Sequence, residues 1–231
     1  MSASIRRALI RSAAVATLLA TASLTAGCTQ VLSAIEAQAA VERSPAPSSA
    51  GTGAPLESAF TDDGSVSLTS DVADDLEVRI DVWAADPKRT EEWTASADKA
   101  FGFAVNVYDY RVAEKSVLAD KRRVYLSQVS ITSTLSPDRS AGSFQLTVDP
   151  RTLVPADTLR SDRGLLLNSY QGGLLVPETI VSQLPAGTTG ITLEFALTLS
   201  AEGAASDDDS FQQQTVYQTL PIRIFPDASD G

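Results

Sequence analysis

The chain has no histidine. That absence removes Ser-His-Asp and Cys-His nucleophile systems, histidine-ligated zinc, and the side chain best suited to proton transfer near neutral pH. Cys28 is the only cysteine in 231 residues, so no intramolecular disulfide exists and stability rests on packing. Basic residues are also scarce, with 18 Lys and Arg against 29 Asp and Glu and a formal charge of −11. Three of those arginines, Arg6, Arg7 and Arg11, lie in the first 27 residues, which carry no acid; without that segment the balance is 15 against 29, or −14. Such a charge argues against nucleic acid as a partner, because binding a polyanion relies on Lys and Arg clusters, and against electrostatic attraction to anionic lipid. No apolar run reaches the roughly 20 residues that span a bilayer, since the first one is broken by Ser12, Thr17, Thr21, Ser23 and Thr25. What remains open is chemistry from paired carboxylates, a Ser-Lys arrangement, or a cation held by oxygen ligands.

What is present begins with the export signal. Arg6, Arg7 and Arg11 precede an apolar stretch through Ala13, Val15, Leu18 and Leu19, which ends in Leu24-Thr25-Ala26-Gly27-Cys28. This resembles the lipobox of bacterial lipoproteins, and the Ala, Asp, Thr and Arg bias suits an actinobacterial source. Thr25 stands where that motif usually has leucine, and the residues around Arg6-Arg7 fit a twin-arginine signal poorly. The resemblance implies a signal peptide over residues 1–27, cleavage before Cys28, and acylation of its thiol and new amino terminus, palmitate included. Two or more acyl chains, at about 0.8 kcal/mol per buried methylene, hold a protein on a membrane as one chain cannot. The expected location is the extracytoplasmic face of the cell membrane, with the membrane itself as a partner through the lipid anchor.

Residues 28–62 read as anchor and tether. Val31, Leu32, Ile35 and Ala39 are spaced for a brief helix, after which Arg43 to Pro55 is rich in Ser, Pro, Ala, Gly and Thr, a composition that cannot bury enough apolar surface to offset ordering. A flexible segment of about 30 residues spans roughly 30 Å, enough to lift a domain clear of lipid headgroups.

Residues 63–227 carry apolar side chains at every second position, the period of half-buried strands. Leu76, Val78, Ile80 and Val82 form one such set, Phe101, Phe103, Val105 and Val107 a second, Phe144, Leu146 and Val148 a third, and Ile191 through Leu199 a fourth. Over Val124 to Thr134 the phase shifts near Ser127-Gln128, which predicts a bulge. Over Phe211 to Phe225, Pro221 requires an edge position for its missing N–H. Asn168 to Gly173 reads as a hairpin turn, Pro177 to Leu184 as a helical turn, and Gln212-Gln213-Gln214 as a solvated face. Seven or eight strands without strand-helix alternation predict an all-β fold, an antiparallel β-sandwich resembling immunoglobulin or fibronectin modules in architecture.

Candidate ligand-binding residues fall in two groups. Trp83 and Trp93, with Tyr108 and Tyr110 nearby in sequence, form either a sugar-stacking platform or a cap on the core. Arg160, Asp162, Arg163, Asn168 and Tyr170 lie in an irregular stretch that either receives an anionic ligand or fixes its own shape through Arg-Asp pairing. The acidic runs Asp62-Asp63-Gly64, Asp74-Asp75 and Asp207-Asp208-Asp209 lack the spacing of a calcium loop, so no metal site, cofactor or catalytic residue is assigned. A fructose-1,6-bisphosphatase label, expected on similar small exported proteins, is not supported: sugar phosphatases resemble one another in D-P-[IL]-D-G-[ST], whereas Asp149-Pro150 runs into Arg151-Thr152 and Asp86-Pro87 into Lys88-Arg89.

The sequence thus points to a lipid-anchored binding or structural module of the cell envelope, with cell-wall glycan or another envelope protein as the partner. The alternatives are a carboxylate-dependent hydrolase of glycans or phosphoesters, and a lipid carrier with an internal apolar cavity. Cys28→Ser is expected to abolish palmitate labelling and release the protein from the membrane fraction; equal membrane retention in the variant contradicts the anchor.

Overall fold

The computed structural model describes residues 56–227; Cys28 and the segments expected to form a signal peptide and tether, up to residue 55, lie outside the described residues. The described residues open with helix α1 (Ala59–Asp63), capped by Ser58, whose hydroxyl accepts the Thr61 N–H at 3.1 Å. It closes at Gly64, which takes the left-handed conformation (φ 71°) and donates its N–H to the Phe60 carbonyl. Phe60 is fully buried and packs on Trp93 at 5.4 Å between ring centroids. The packed domain therefore starts before residue 63, the boundary expected from composition, because one aromatic side chain fixes this short helix to the core.

Ten strands follow: β1 (Ser65–Ala73), β2 (Leu76–Ala84), β3 (Lys99–Asp109), β4 (Val124–Ser136), β5 (Ala141–Val148), β6 (Arg160–Ser161), β7 (Gly164–Leu166), β8 (Leu174–Val181), β9 (Gly190–Ala201) and β10 (Gln212–Arg223). Sheet one has the order β1-β2-β3-β8; sheet two has β10-β9-β4-β7-β6, with β5 also beside β4. The strand pairs are antiparallel, and the two sheets pack face to face as an all-β sandwich. The layering is that of immunoglobulin and fibronectin modules. The connectivity differs in that the first three strands share one sheet, whereas an immunoglobulin constant domain sends its third strand to the other.

The alternating residues fill the space between the sheets. Val78, Ile80 and Val82 of β2, Phe101, Phe103 and Val105 of β3, and Ile131, Leu193, Phe195 and Leu197 of sheet two are at most 1% exposed. Phe103 and Phe195 meet edge to face across the sheets at 5.8 Å and 75°. The β4–β9 register slips between Leu126 and Gln128, where the phase shift placed a bulge, and Val124, Leu126, Val129 and Ile131 all remain inside. Pro221 lies on β10, the outermost strand of its sheet.

Three local expectations are corrected. Asn168–Gly173 does not close a hairpin, because β7 belongs to sheet two and β8 to sheet one, so the turn crosses between layers. Pro177 and the residues after it continue β8 as strand through Val181. Gln212 and Gln213 are exposed as expected, but Gln214 is half-buried and donates to the Val72 carbonyl at 2.8 Å, as Gln218 does to Thr69 at 2.7 Å, tying β10 to β1 along one side of the sandwich.

The end of the sandwich opposite α1 is held by ionic contacts. Arg122 and Arg123 precede β4 and reach opposite ways, as successive side chains of an extended segment must. Arg122 donates to both Asp109 oxygens, at 2.7 Å and 3.1 Å, with both side chains almost wholly buried. Arg123 does the same to Glu202, at 2.6 Å and 3.2 Å. Asp109 closes β3 in sheet one and Glu202 follows β9 in sheet two, so adjacent arginines fasten both layers. Burial alone raises the Asp109 carboxyl, but hydrogen bonds from Arg122 and Arg111 outweigh it and bring it well below the ordinary carboxylate range. Burial and the Arg123 contacts move Glu202 downward in the same way. Folded-state values below the unfolded ones mean that this stabilisation is complete above the unfolded carboxylate values of about 4 and is lost as pH falls below them. Urea unfolding is accordingly expected to give constant stability from neutral pH to mild acid and a steep loss below about pH 4. Arg122→Met, which leaves Asp109 buried without its main partner, is expected to cost about 3–5 kcal/mol at pH 7. Stability that stays constant into strong acid contradicts this assignment.

Candidate functional site on the outer face of sheet one

The alternation that buries Val78, Ile80 and Val82 points Glu77, Arg79, Asp81 and Trp83 outward. Antiparallel register sets each beside defined neighbours: Glu77 pairs with Tyr108, Arg79 with Asn106, Asp81 with Ala104 and Trp83 with Gly102 on β3. On the other side Trp83 pairs with Ser65, Asp81 with Ser67, Arg79 with Thr69 and Glu77 with Asp71 on β1. Aromatic, carboxylate and hydroxyl groups thus share one sheet face.

Gly102 sets the position of the indole. A Cβ on Gly102 would fall 2.6 Å and 2.7 Å from Cε2 and Cζ2 of Trp83, and 2.4 Å from the carbonyl oxygen of Pro177. Glycine between Phe101 and Phe103 therefore lets the ring lie across β3 and lets β8 approach on the same side. Beside the half-buried indole is a shallow, open concavity of about 340 Å³ lined by Asp63, Ser65, Val66, Ser67, Asp81, Val82 and Trp83. The Ser67 hydroxyl donates to Asp81 Oδ1 at 2.5 Å, fixing that carboxylate at the wall. An aromatic ring bordered by two carboxylates and two hydroxyls can stack on the C–H face of a sugar and accept hydrogen bonds from its hydroxyls.

At the other end of the same face, the Arg79 guanidinium lies over Tyr108 at 4.5 Å. Tyr108 stacks on Tyr110 at 6.3 Å and 13°. Glu77 Oε1 accepts from Arg79 Nη2 at 2.8 Å and from the Tyr110 hydroxyl at 3.2 Å. Tyr110 is 57% exposed, leaving part of its surface free for contact.

The two tryptophans do not act together. Trp93 is 8% exposed and belongs to the core against Phe60, so its place in the expected binding set is corrected; the intervening 3-10 turn Thr90–Glu92 folds it inward. Arg160, Asp162, Arg163, Asn168 and Tyr170 lie in or beside the β6–β7 segment of sheet two, apart from Trp83. Arg160 donates to the carbonyls of Arg151, Pro155 and Ala156. Arg163 stacks on Phe211 at 4.4 Å, and Asn168 bridges the Arg122 carbonyl and the Val124 N–H. Asp162 and Tyr170 are exposed, the latter at 88%. Arg160 and Asn168 thus hold the loop's shape and connect it to neighbouring backbone. Sequence reasoning missed Asp63, Ser65, Ser67, Asp81 and Gly102; the signal available for the last was a glycine inside an aromatic strand.

Among the described residues no group of three or more His, Cys, Asp or Glu side chains is placed to hold a metal ion. The carboxylates whose titration is displaced, Asp109, Asp149, Glu202 and Asp227, all move downward, opposite to the direction a general acid needs. Asp149 is held down by Arg151 and caps the turn Pro150–Thr152, while Asp86 accepts the Lys88 N–H, so both Asp-Pro pairs serve turns. Comparison of the chain with protein-family models, curated proteins and solved structures gives no match.

Gly102→Ala is expected to cost about 1–3 kcal/mol from overpacking and to change the near-ultraviolet circular dichroism as Trp83 is pushed off the sheet. A substitution without effect on either signal contradicts the close approach.

Proposed function

We propose that this chain is a lipid-anchored binding module of the bacterial cell envelope, tied to the membrane through Cys28 and working on the extracytoplasmic side. Its ligand is neutral cell-wall glycan, held on the outer face of sheet one. The observation that carries this reading is the Trp83 ring laid across Gly102 beside Asp63, Ser65, Ser67 and Asp81 in one open concavity. Carboxylates that accept from vicinal hydroxyls, next to an aromatic face, suit an uncharged sugar better than an anion. The filled space between the sheets supports a module that binds at its surface rather than a carrier of acyl chains. Among the described residues no helix is long and apolar enough to cross a membrane, which is compatible with attachment through an acylated cysteine.

A second reading, in which the partner is another envelope protein, is favoured by Leu175 and Ile180 of β8, which are 56% and 50% exposed on the same sheet. Sedimentation with insoluble wall polysaccharide separates the two. Full-length protein in detergent is expected to co-sediment, and Trp83→Ala to reduce retention at least tenfold, about 1.4 kcal/mol, while remaining folded by circular dichroism at the assay temperature. Retention that survives Trp83→Ala but is lost in Leu175→Asp contradicts the glycan reading and supports the protein partner.

A further inference from the structure

Resting on the glycan reading, we infer that the same face takes an extended stretch of a linear neutral polysaccharide running along β2, with a second stacking position at Tyr110, which is itself backed by Tyr108. The register places Trp83 opposite Gly102 and Glu77 opposite Tyr108. Six residues of strand separate the two positions, about 20 Å at the usual rise, which is several sugar rings end to end. Aromatic groups stand at both ends of this span and small or polar side chains between them: Ala104 and Asn106 from β3, Ser67 and Thr69 from β1, Asp81 and Arg79 from β2. Arg79 is the one long side chain between them, and it lies down over Tyr108, so the surface free for stacking at that end is the exposed Tyr110.

The Tyr110 end of the path is also held in place. Arg79 is fixed by Glu77 and by the face of Tyr108, and Tyr110 is fixed by stacking and by its hydrogen bond to the same carboxylate. Preorganised groups of this kind lose little side-chain entropy on binding. The concavity at Trp83 is shallow and open, and its wall residues Ser67 and Asp81 lie on the same face as the path, which leaves a bound chain room to continue past it. Charge selects among polysaccharides. Asp63, Asp71, Glu77 and Asp81 on or bordering the face outnumber its one cation, Arg79, which disfavours uronic acid and phosphate-bearing chains through like-charge repulsion.

The test is calorimetric binding of β-1,4-linked N-acetylglucosamine oligomers, from monomer to hexamer, to the full-length protein in detergent. Affinity is expected to rise at least about tenfold with length and to level off once the chain exceeds about 20 Å. Tyr110→Ala, at an exposed position that leaves folding intact, is expected to remove the length dependence while preserving monomer affinity. A monomer that binds as tightly as the hexamer, or length dependence that persists in Tyr110→Ala, overturns the extended site and leaves the Trp83 concavity standing. Equal binding of oligomeric uronic acids overturns the neutral class. Failure of every oligomer to bind overturns both this inference and the glycan reading beneath it.

Discussion

Gly102 has to accommodate two neighbours at once. The Trp83 indole occupies the space of a side chain, and the Pro177 carbonyl comes within 2.4 Å of the same point where a Cβ would stand. The register of β3 against β8 slips between Phe101 and Phe103, at this residue, and β8 carries Pro177 there in an edge strand where its missing N–H is tolerated. The same absent side chain therefore supports the strand pairing that closes sheet one and the flat aromatic surface on its outer face. Larger residues at position 102 separate the two requirements, since the indole and the carbonyl cannot both stay.

Much of the fold was readable because burial follows the period of two. β2, β3, β4, β9 and β10 each alternate cleanly, and even the β4 bulge left its mark as a phase shift in Val124, Leu126, Val129 and Ile131. What the alternation could not convey was which sheet a strand joins. Leu165–Leu167 and Leu174–Val176 look like two arms of a hairpin, but they pair with β4 and β3 respectively, a choice made by long-range contacts. The N-terminal boundary was hidden for a related reason. A five-residue helix has no useful periodicity, and Phe60 is informative only once Trp93 is known to lie against it.

The candidate site was half legible. Trp83, Tyr108 and Tyr110 were recognisable as aromatic, and the structure puts them on one face; Trp93 has the same composition signal and lies in the core. Strand parity does separate Trp83 from Val82, but only the paired strand reveals that the ring rests on a glycine. The arginine-rich loop shows how little residue type alone says. Arg151 is tied to Asp149 and Arg160 to backbone carbonyls. The Arg122 and Arg123 pairs likewise place scarce positive charge in ion pairs, the first joining the two sheets through Asp109 and the second staying within sheet two through Glu202. Arg79 is the one cation among the paired positions of β1, β2 and β3 on the outer face, held by Glu77 at the end away from Trp83, so the acids dominate that face.

The most direct measurement of the central claim uses the two indoles as opposed reporters. In a nitrogen-15 correlation spectrum of the full-length protein in detergent micelles, titrated with neutral N-acetylglucosamine oligomers, the Trp83 indole N–H signal moves together with the amides of Ser65, Ser67 and Asp81, while the Trp93 signal stays in place. Shifts confined to residues 160–171, or a spectrum unchanged at saturating oligomer, contradict the account.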